Sequence, residues 1–245
     1  MLLTVQHLGR RFGRYPALAD VSFEIAPHHI VGLIGPNGSG KTTLLECLVG
    51  LQPRDRGTVS TAGGAAVRDV AFYVPDDVSP FADLYTSEVL AYFGGVYGVD
   101  AARRVALAER LGLTPALATR VRALSKGNRR RLLLAVGFLA PHPLLLLDEP
   151  FNGLDLYQTR AMMGLLRELQ AAGRTLLLSI HQLVDAERIC DRFLLLSAGR
   201  LVGQGSLTEL RERTGLPRGS LEDVFLALTP PAAAAAAAAE NLACA

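Results

Sequence analysis

The stretch GPNGSGKT, residues 35–42, decides how the rest of the chain is read. It fits the pattern GxxxxGK[ST]. Before it stands HIVGLI (29–34), a nearly continuous apolar run with the character of a buried strand. After it comes TTLLECLVGL (42–51), whose apolar residues recur at helical spacing. A glycine-rich turn in that place lets the backbone wrap so that consecutive N–H groups point at phosphate oxygens, and the helix that follows adds its positive end. Gly35, Pro36, Asn37, Gly38, Ser39, Gly40, Lys41, Thr42 and Thr43 are therefore the expected phosphate contacts. Lys41 is placed for the β- and γ-phosphates, and the Thr42 hydroxyl for Mg²⁺. The simpler alternative is a glycine turn that only caps a helix.

Working outward, LLLLDEP (144–150) carries four leucines into two carboxylates. In open α/β sheets, ligands bind at the carboxyl ends of the strands. Asp148 is expected to hold Mg²⁺ and Glu149 to orient and polarise a water. A surface acidic turn is the alternative. Further apolar runs, TLLLSI (175–180) and RFLLLS (192–197), alternate with helical patterns and predict a mainly parallel sheet covered on both faces. LTVQHL (3–8), DVSFEI (20–25) and DVAFYV (69–74) alternate as half-buried strands do. Residues 86–139 are helical in pattern, with breaks expected near Gly94, Gly98 and Pro115. The expected fold is thus an α/β phosphate-loop core with an N-terminal antiparallel β subdomain and an inserted helical subdomain at about 77–140. SLTE at Ser206 and SLED at Ser220 fit capping boxes and predict two short helices. Residues 1–229 are expected to form one domain. Residues 230–245 are read as a frayed alanine-rich tail, because an isolated helix below about 12 residues is marginal in water.

Composition narrows the function classes. Net charge is only +2, which argues against a chain whose whole surface binds polyanions, so no nucleic-acid partner is expected. Three cysteines without a CxxC pair read as reduced thiols of a cytosolic protein. The longest apolar run, LLLAVGFLAPHPLLLL (132–147), is cut by Pro141, His142 and Pro143 and ends in Asp148 and Glu149. It falls short of the about 20 uninterrupted residues a membrane helix needs. Of 25 basic residues only Lys41 and Lys126 are lysines.

Lys126 falls in ALSKGNRRR (123–131). Ser125 is placed to N-cap the helix that follows, whose N-terminus attracts anions. Arg129, Arg130 and Arg131 read either as a solvated basic face or as part of a binding surface. Taken together, GPNGSGKTT, LSKGN, LLLLDEP, NGLD and SIH stand in the order and approximate spacing of the ATP-binding-cassette (ABC) ATPases, which the chain resembles over about residues 2–229. The resemblance implies an ATP- and Mg²⁺-dependent ATPase subunit that sandwiches two ATP molecules between two such subunits. It also implies a separate transmembrane permease and a peripheral place at the cytoplasmic face of a membrane. LSKGN resembles the signature motif, usually LSGGQ, which implies that Ser125 and Gly127 face the γ-phosphate bound to the second subunit. Asp155 matches the loop linking the two ATP sites, and an N-cap is the compatible alternative. His181 matches the γ-phosphate switch histidine, although a lone histidine after a strand is usually structural. Phe12 matches the adenine-stacking aromatic, with Tyr15 a near competitor and a core aromatic also possible. Asp76 stands where the family usually has glutamine. It is a candidate metal ligand, with Asp77 as substitute and a simple loop aspartate as the alternative. The LSKGN variant, the short helical insert and the SLEDVFLAL ending (220–228) resemble the ATPases of export-type permeases. Two other readings stand beside this one: an ABC ATPase acting on nucleic acid or the ribosome, and an ATP-gated module without turnover.

Overall fold

The computed structural model describes residues 1–229 apart from Asp77 and Pro80. The alanine-rich tail and the Asp77 alternative lie outside the described residues. Two sheets organise the described residues. The larger holds six strands in the order β5-β6-β7-β3-β8-β9: β5 (Ala71–Val74), β6 (Leu144–Asp148), β7 (Thr175–Ile180), β3 (Ile30–Ile34), β8 (Arg192–Ser197) and β9 (Arg200–Gly205). The first five are parallel, and β9 turns back antiparallel on β8. The smaller sheet is antiparallel, with β1 (Leu3–Phe12) between β2 (Tyr15–Ile25) and β4 (Arg56–Thr61).

Strand alternation splits the core into two layers. In β6, Leu145 and Leu147 face one layer, and Leu144 and Leu146 face the other. The second layer is closed by α1 (Lys41–Val49), through Leu44, Leu45 and Leu48, and by the small sheet, through Leu3, Val5 and Leu18. The first is closed by α3 (Thr86–Val96), α5 (Lys126–Leu139) and α6 (Leu156–Ala171), with α4 (Ala101–Arg110) set against them. A parallel strand buried on both faces has to be apolar at every position, and that is why β6 and β7 read as leucine runs. Past β7, α7 (Leu183–Ile189) leads to β8. After β9, α8 (Leu207–Thr214) and α9 (Leu221–Leu228) begin at Ser206 and Ser220, each within a capping box.

Two readings of the sequence are corrected. DVAFYV is not strand throughout, because Asp69 and Val70 close a four-residue helix, α2 (Val67–Val70), and only Ala71–Val74 pair with β6. Gly94 does not break α3, since it is a buried contact point where a Cβ would collide with Arg104 of α4. Gly98, at φ +66°, does end the segment. Strands β4 and β9 carry too few apolar residues to stand out in the sequence. They are held by pairing with β1 and β8 rather than by their own pattern. Among the described residues no helix is long and apolar enough to cross a membrane.

Leu146, in β6 between β5 and β7, is fully buried. Leu146→Ala is expected to cost about 2–5 kcal/mol, read as a lower urea midpoint with unchanged slope. Val105→Ala, on an exposed helix face, should stay within about 0.5 kcal/mol.

Candidate functional site

The loop between β3 and α1 is shaped by two glycines whose lack of a side chain is required. A Cβ on Gly35 would collide with the backbone oxygen of Leu196 in β8. Gly40 sits at φ +102°, where a Cβ would also meet the Ala17 oxygen at 2.6 Å. Gly40 occupies the N-cap of α1 and offers no side chain to its first turn. In the same loop the Ser39 hydroxyl is buried without a hydrogen-bond partner. An uncapped helix start and an orphaned buried hydroxyl are what an anion with several acceptor oxygens would satisfy. Lys41 is buried. Its Nζ donates to the Gly35 and Pro36 carbonyls at 2.9 and 3.3 Å and lies 3.8 Å from Glu149 Oε1. Burial lowers its pKa, and the charges of Glu149 and Asp148 oppose that shift.

Asp148, at the end of β6, is buried and accepts three side-chain hydrogen bonds. Its Oδ2 accepts from the Thr42 hydroxyl at 2.8 Å and from the Tyr73 hydroxyl at 3.3 Å, and its Oδ1 accepts from the Ser179 hydroxyl. Burial, reinforced by the Asp148 charge, raises the Tyr73 pKa, which keeps its hydroxyl a donor. Glu149 follows at φ +51°, in the left-handed region, which costs a non-glycine residue about 1–3 kcal/mol. Its backbone is pinned there. The Glu149 N–H donates to the Ser179 carbonyl and hydroxyl at 3.1 and 3.0 Å, and its carbonyl accepts from Asn152 N–H at 3.0 Å. The strained turn swings the Glu149 carboxylate away from the Asp148 side of the strand and over the loop. There it lies between Lys41 and His181, whose Nδ1 is 2.5 Å from Glu149 Oε2.

Lys41, Thr42, Asp148 and Glu149 border one cavity of about 380 Å³, whose wall also includes Phe12, Tyr15, Asn37, Gly38 and Asp76. Phe12 is exposed, with the Arg10 guanidinium 4.7 Å from its ring centre. The Tyr15 hydroxyl is tied to the Gly38 carbonyl at 3.4 Å. Asp76 points its two carboxylate oxygens at the Asn152 side-chain amide, 3.2 Å from each.

Gly35, Pro36 and Ser39 are not part of the cavity wall, and His181 meets the site through Glu149, whereas Ser125, Gly127 and Asp155 stand elsewhere. Ser125 N-caps α5 by accepting from Asn128 N–H at 3.2 Å. It lines a different cavity with Pro115, Thr119 and Asn128, and the two cavities share no residue. Gly127 packs against the loop before α6, where a Cβ would come within 2.9 Å of the Gly153 oxygen. Asp155 is exposed and N-caps α6, reciprocally with Gln158. The arginine triplet is not a solvated basic face. Arg130 is only 2% exposed, and Arg131 donates to the Leu111 and Gly112 carbonyls at 3.1 Å each. A guanidinium that can reach several carbonyls at once is held in the interior more readily than its charge suggests.

Tyr73, Ser179, Asn152 and Arg130 take part in the site, yet the sequence did not single them out for it. Ser179 carried a signal, as a polar residue after three leucines in the strand that ends just before His181.

Comparison with known proteins shows the family. A family model described as ABC transporter matches residues 18–152. The chain is 33% identical to the ABC-type transporter ATP-binding protein EcsA of Bacillus subtilis, over 93% of this chain and 96% of that protein. It is 37% identical to the Nod factor export ATP-binding protein I of Ralstonia nicotianae, over 85% of this chain and 68% of that one. Among solved structures, the ATP-binding subunit of an ABC transporter superposes with a TM-score of 0.86 at 32% identity, covering 94% of this chain and all (100%) of its own.

Lys41→Ala removes the buried cation that borders the cavity. It is expected to lower kcat/KM for ATP at least about a hundredfold, measured by phosphate release, with folding checked by circular dichroism. Lys41→Arg should also be severely impaired, because a planar fork does not fit where a compact ammonium donates to two loop carbonyls.

Proposed function

The chain belongs to the ABC transporter family as an ATP-hydrolysing subunit, and from that premise we propose that two such subunits close around ATP in a head-to-tail sandwich. The observation that carries this reading is the separation of the two cavities. Lys41, Asp148 and Glu149 border one, while Ser125 caps a helix beside the other. One chain therefore supplies the phosphate loop of one site and the Ser125 turn of another. Beside Asp155, Leu156 and Tyr157 are 70% and 85% exposed, an apolar pair suited to a subunit contact.

In this reading Phe12 stacks on the adenine, and residues 35–43 cradle the phosphates. Lys41 leaves Glu149 for the β- and γ-phosphates and neutralises their charge. The attacking water forms the new O–P bond as the bond to the β-phosphate oxygen breaks and ADP leaves. Glu149 accepts the water's proton, and His181 holds the Glu149 carboxylate in place and contacts the γ-phosphate. Mg²⁺ fits the donors present, since the Thr42 hydroxyl and the carboxylates of Asp148 and Asp76 are hard oxygen ligands. Among the described residues no cluster of three or more His, Cys, Asp or Glu can hold a metal ion alone. The ion would accordingly share the phosphate oxygens and water, and its chemistry would be charge neutralisation.

The transport path belongs to a separate permease, through which the subunit sits at the cytoplasmic face of a membrane. An exposed apolar cluster on the helical insert supports such a contact. It includes Val78, Phe81 and Tyr92, with the Phe81 and Tyr92 rings 5.4 Å apart. Export is the favoured direction. Its support is the SLEDVFLAL ending and the likeness to a protein whose name describes Nod factor export.

Glu149→Gln keeps the shape of the side chain but cannot accept a proton. ATP should still bind, turnover should fall at least about a hundredfold, and size-exclusion chromatography with ATP should show a dimer that wild type does not accumulate. A variant that binds ATP and remains monomeric would count against self-association and favour a related second chain.

A further inference from the structure

The helix that carries the Ser125 turn is fastened to the phosphate site by one side chain. Arg130 lies on the second turn of α5, about 7.5 Å along the axis from Ser125. Its Nη1 donates to the Pro75 carbonyl at 2.5 Å and, more weakly, to the Asp76 carbonyl at 3.5 Å. Its Nη2 donates to the carbonyl of Asp148. The fork thus bridges the turn after β5 and the end of β6, neighbouring strands paired as far as Val74 and Leu147. The carboxylate of Asp76 is held separately, from the other side, by the Asn152 amide.

A buried cation bonded only to carbonyls is costly unless counter-charges stand near. Here Asp76, Asp148 and Glu149 provide them. Burial pushes the guanidinium's pKa down, and these three carboxylates push it back. The charge therefore stabilises the cluster of carboxylates as the bonds fix their backbone. No other common side chain does both. Glutamine has too few donors, and lysine's point charge cannot span two strands in one plane.

We propose that Arg130 is a positioning residue for ATP hydrolysis: it locks the Asp76 turn and the Asp148 end of β6 to α5, so that one subunit's metal-side carboxylates and the Ser125 turn it offers to the other subunit move as one piece. The proposal rests on the sandwich reading above. It gives Arg130 no contact with nucleotide. It assigns it the task of transmitting engagement of Ser125 to the subunit's own Asp76 and Asp148.

The test uses the full chain with Arg130→Gln and Arg130→Lys. Hydrogen exchange is measured on the nucleotide-free protein, and Mg²⁺ titrations and steady-state kinetics on the protein with ATP. Exchange should rise about tenfold in peptides covering residues 72–79 and 146–150, and much less in the rest of α5. ATP affinity without Mg²⁺ should change less than about twofold, whereas the Mg²⁺ concentration for half-maximal turnover should rise about tenfold and kcat should fall more than KM rises. Arg130→Lys, which keeps the charge but loses the fork, should lie between wild type and Arg130→Gln. If Arg130→Gln fails to fold, the lysine variant decides on the same readouts. Exchange raised evenly along α5 with an unchanged Mg²⁺ requirement would show a merely structural arginine and overturn the proposal. Failure of the sandwich reading is separable, because Glu149→Gln would then form no dimer with ATP, while exchange in the nucleotide-free Arg130 variants still reports on the tie.

Discussion

The carboxylate of Asp148 is the point on which the site depends. It is buried at the end of β6 and accepts hydrogen bonds from three hydroxyls, those of Thr42, Tyr73 and Ser179. Those donors come from α1, β5 and β7, so one carboxyl group ties the loop before α1 to two neighbouring strands. A buried carboxyl group is tolerable when it is hydrogen-bonded and cations stand near. Lys41 on one side and Arg130 on the other meet that need. Thr42 is bonded to Asp148 and also borders the cavity, so the loop, the strand end and the binding space are linked without nucleotide.

The next residue shows why the chain bends as it does. A strand alternates its side chains between faces, so an ordinary continuation would send Glu149 into packed interior. The left-handed turn at φ +51° redirects it over the loop. The cost of that conformation is offset by backbone bonds to Ser179 and Asn152. Strain of this kind persists where surrounding structure over-determines it, and here it places a carboxylate between an ammonium and an imidazole.

Much of this was legible in the sequence, and the reasons differ by element. The leucine runs of β6 and β7 announced buried parallel strands because both faces of the sheet are covered. GPNGSGKT and LLLLDEP were legible because their chemistry is carried by contiguous residues. The capping boxes at Ser206 and Ser220 are local by nature and stood as read. Long-range partners were not legible. Arg130 reaches Pro75 and Asp148, Ser179 reaches Asp148, and Asn152 reaches Asp76, each across many residues, and no periodicity marks such pairs. Three consecutive arginines look like a solvated face until the fold brings carbonyls and carboxylates around them. Strands β4 and β9 escaped because pairing with a neighbour, not their own apolar pattern, holds them in the sheets.

The central claim is that each ATP site is shared, with Lys41, Asp148 and Glu149 from one subunit and Ser125 from the other. It is tested most directly by mixing two inactive variants, Lys41→Ala and Ser125→Arg. In a mixed dimer, one site pairs the intact phosphate loop of the second variant with the intact Ser125 turn of the first, while the other site carries both lesions. ATPase activity absent from either variant alone should appear on mixing and peak at equal proportions. A mixture that stays inactive at every ratio, although native mass spectrometry shows mixed dimers with ATP, would contradict the shared site.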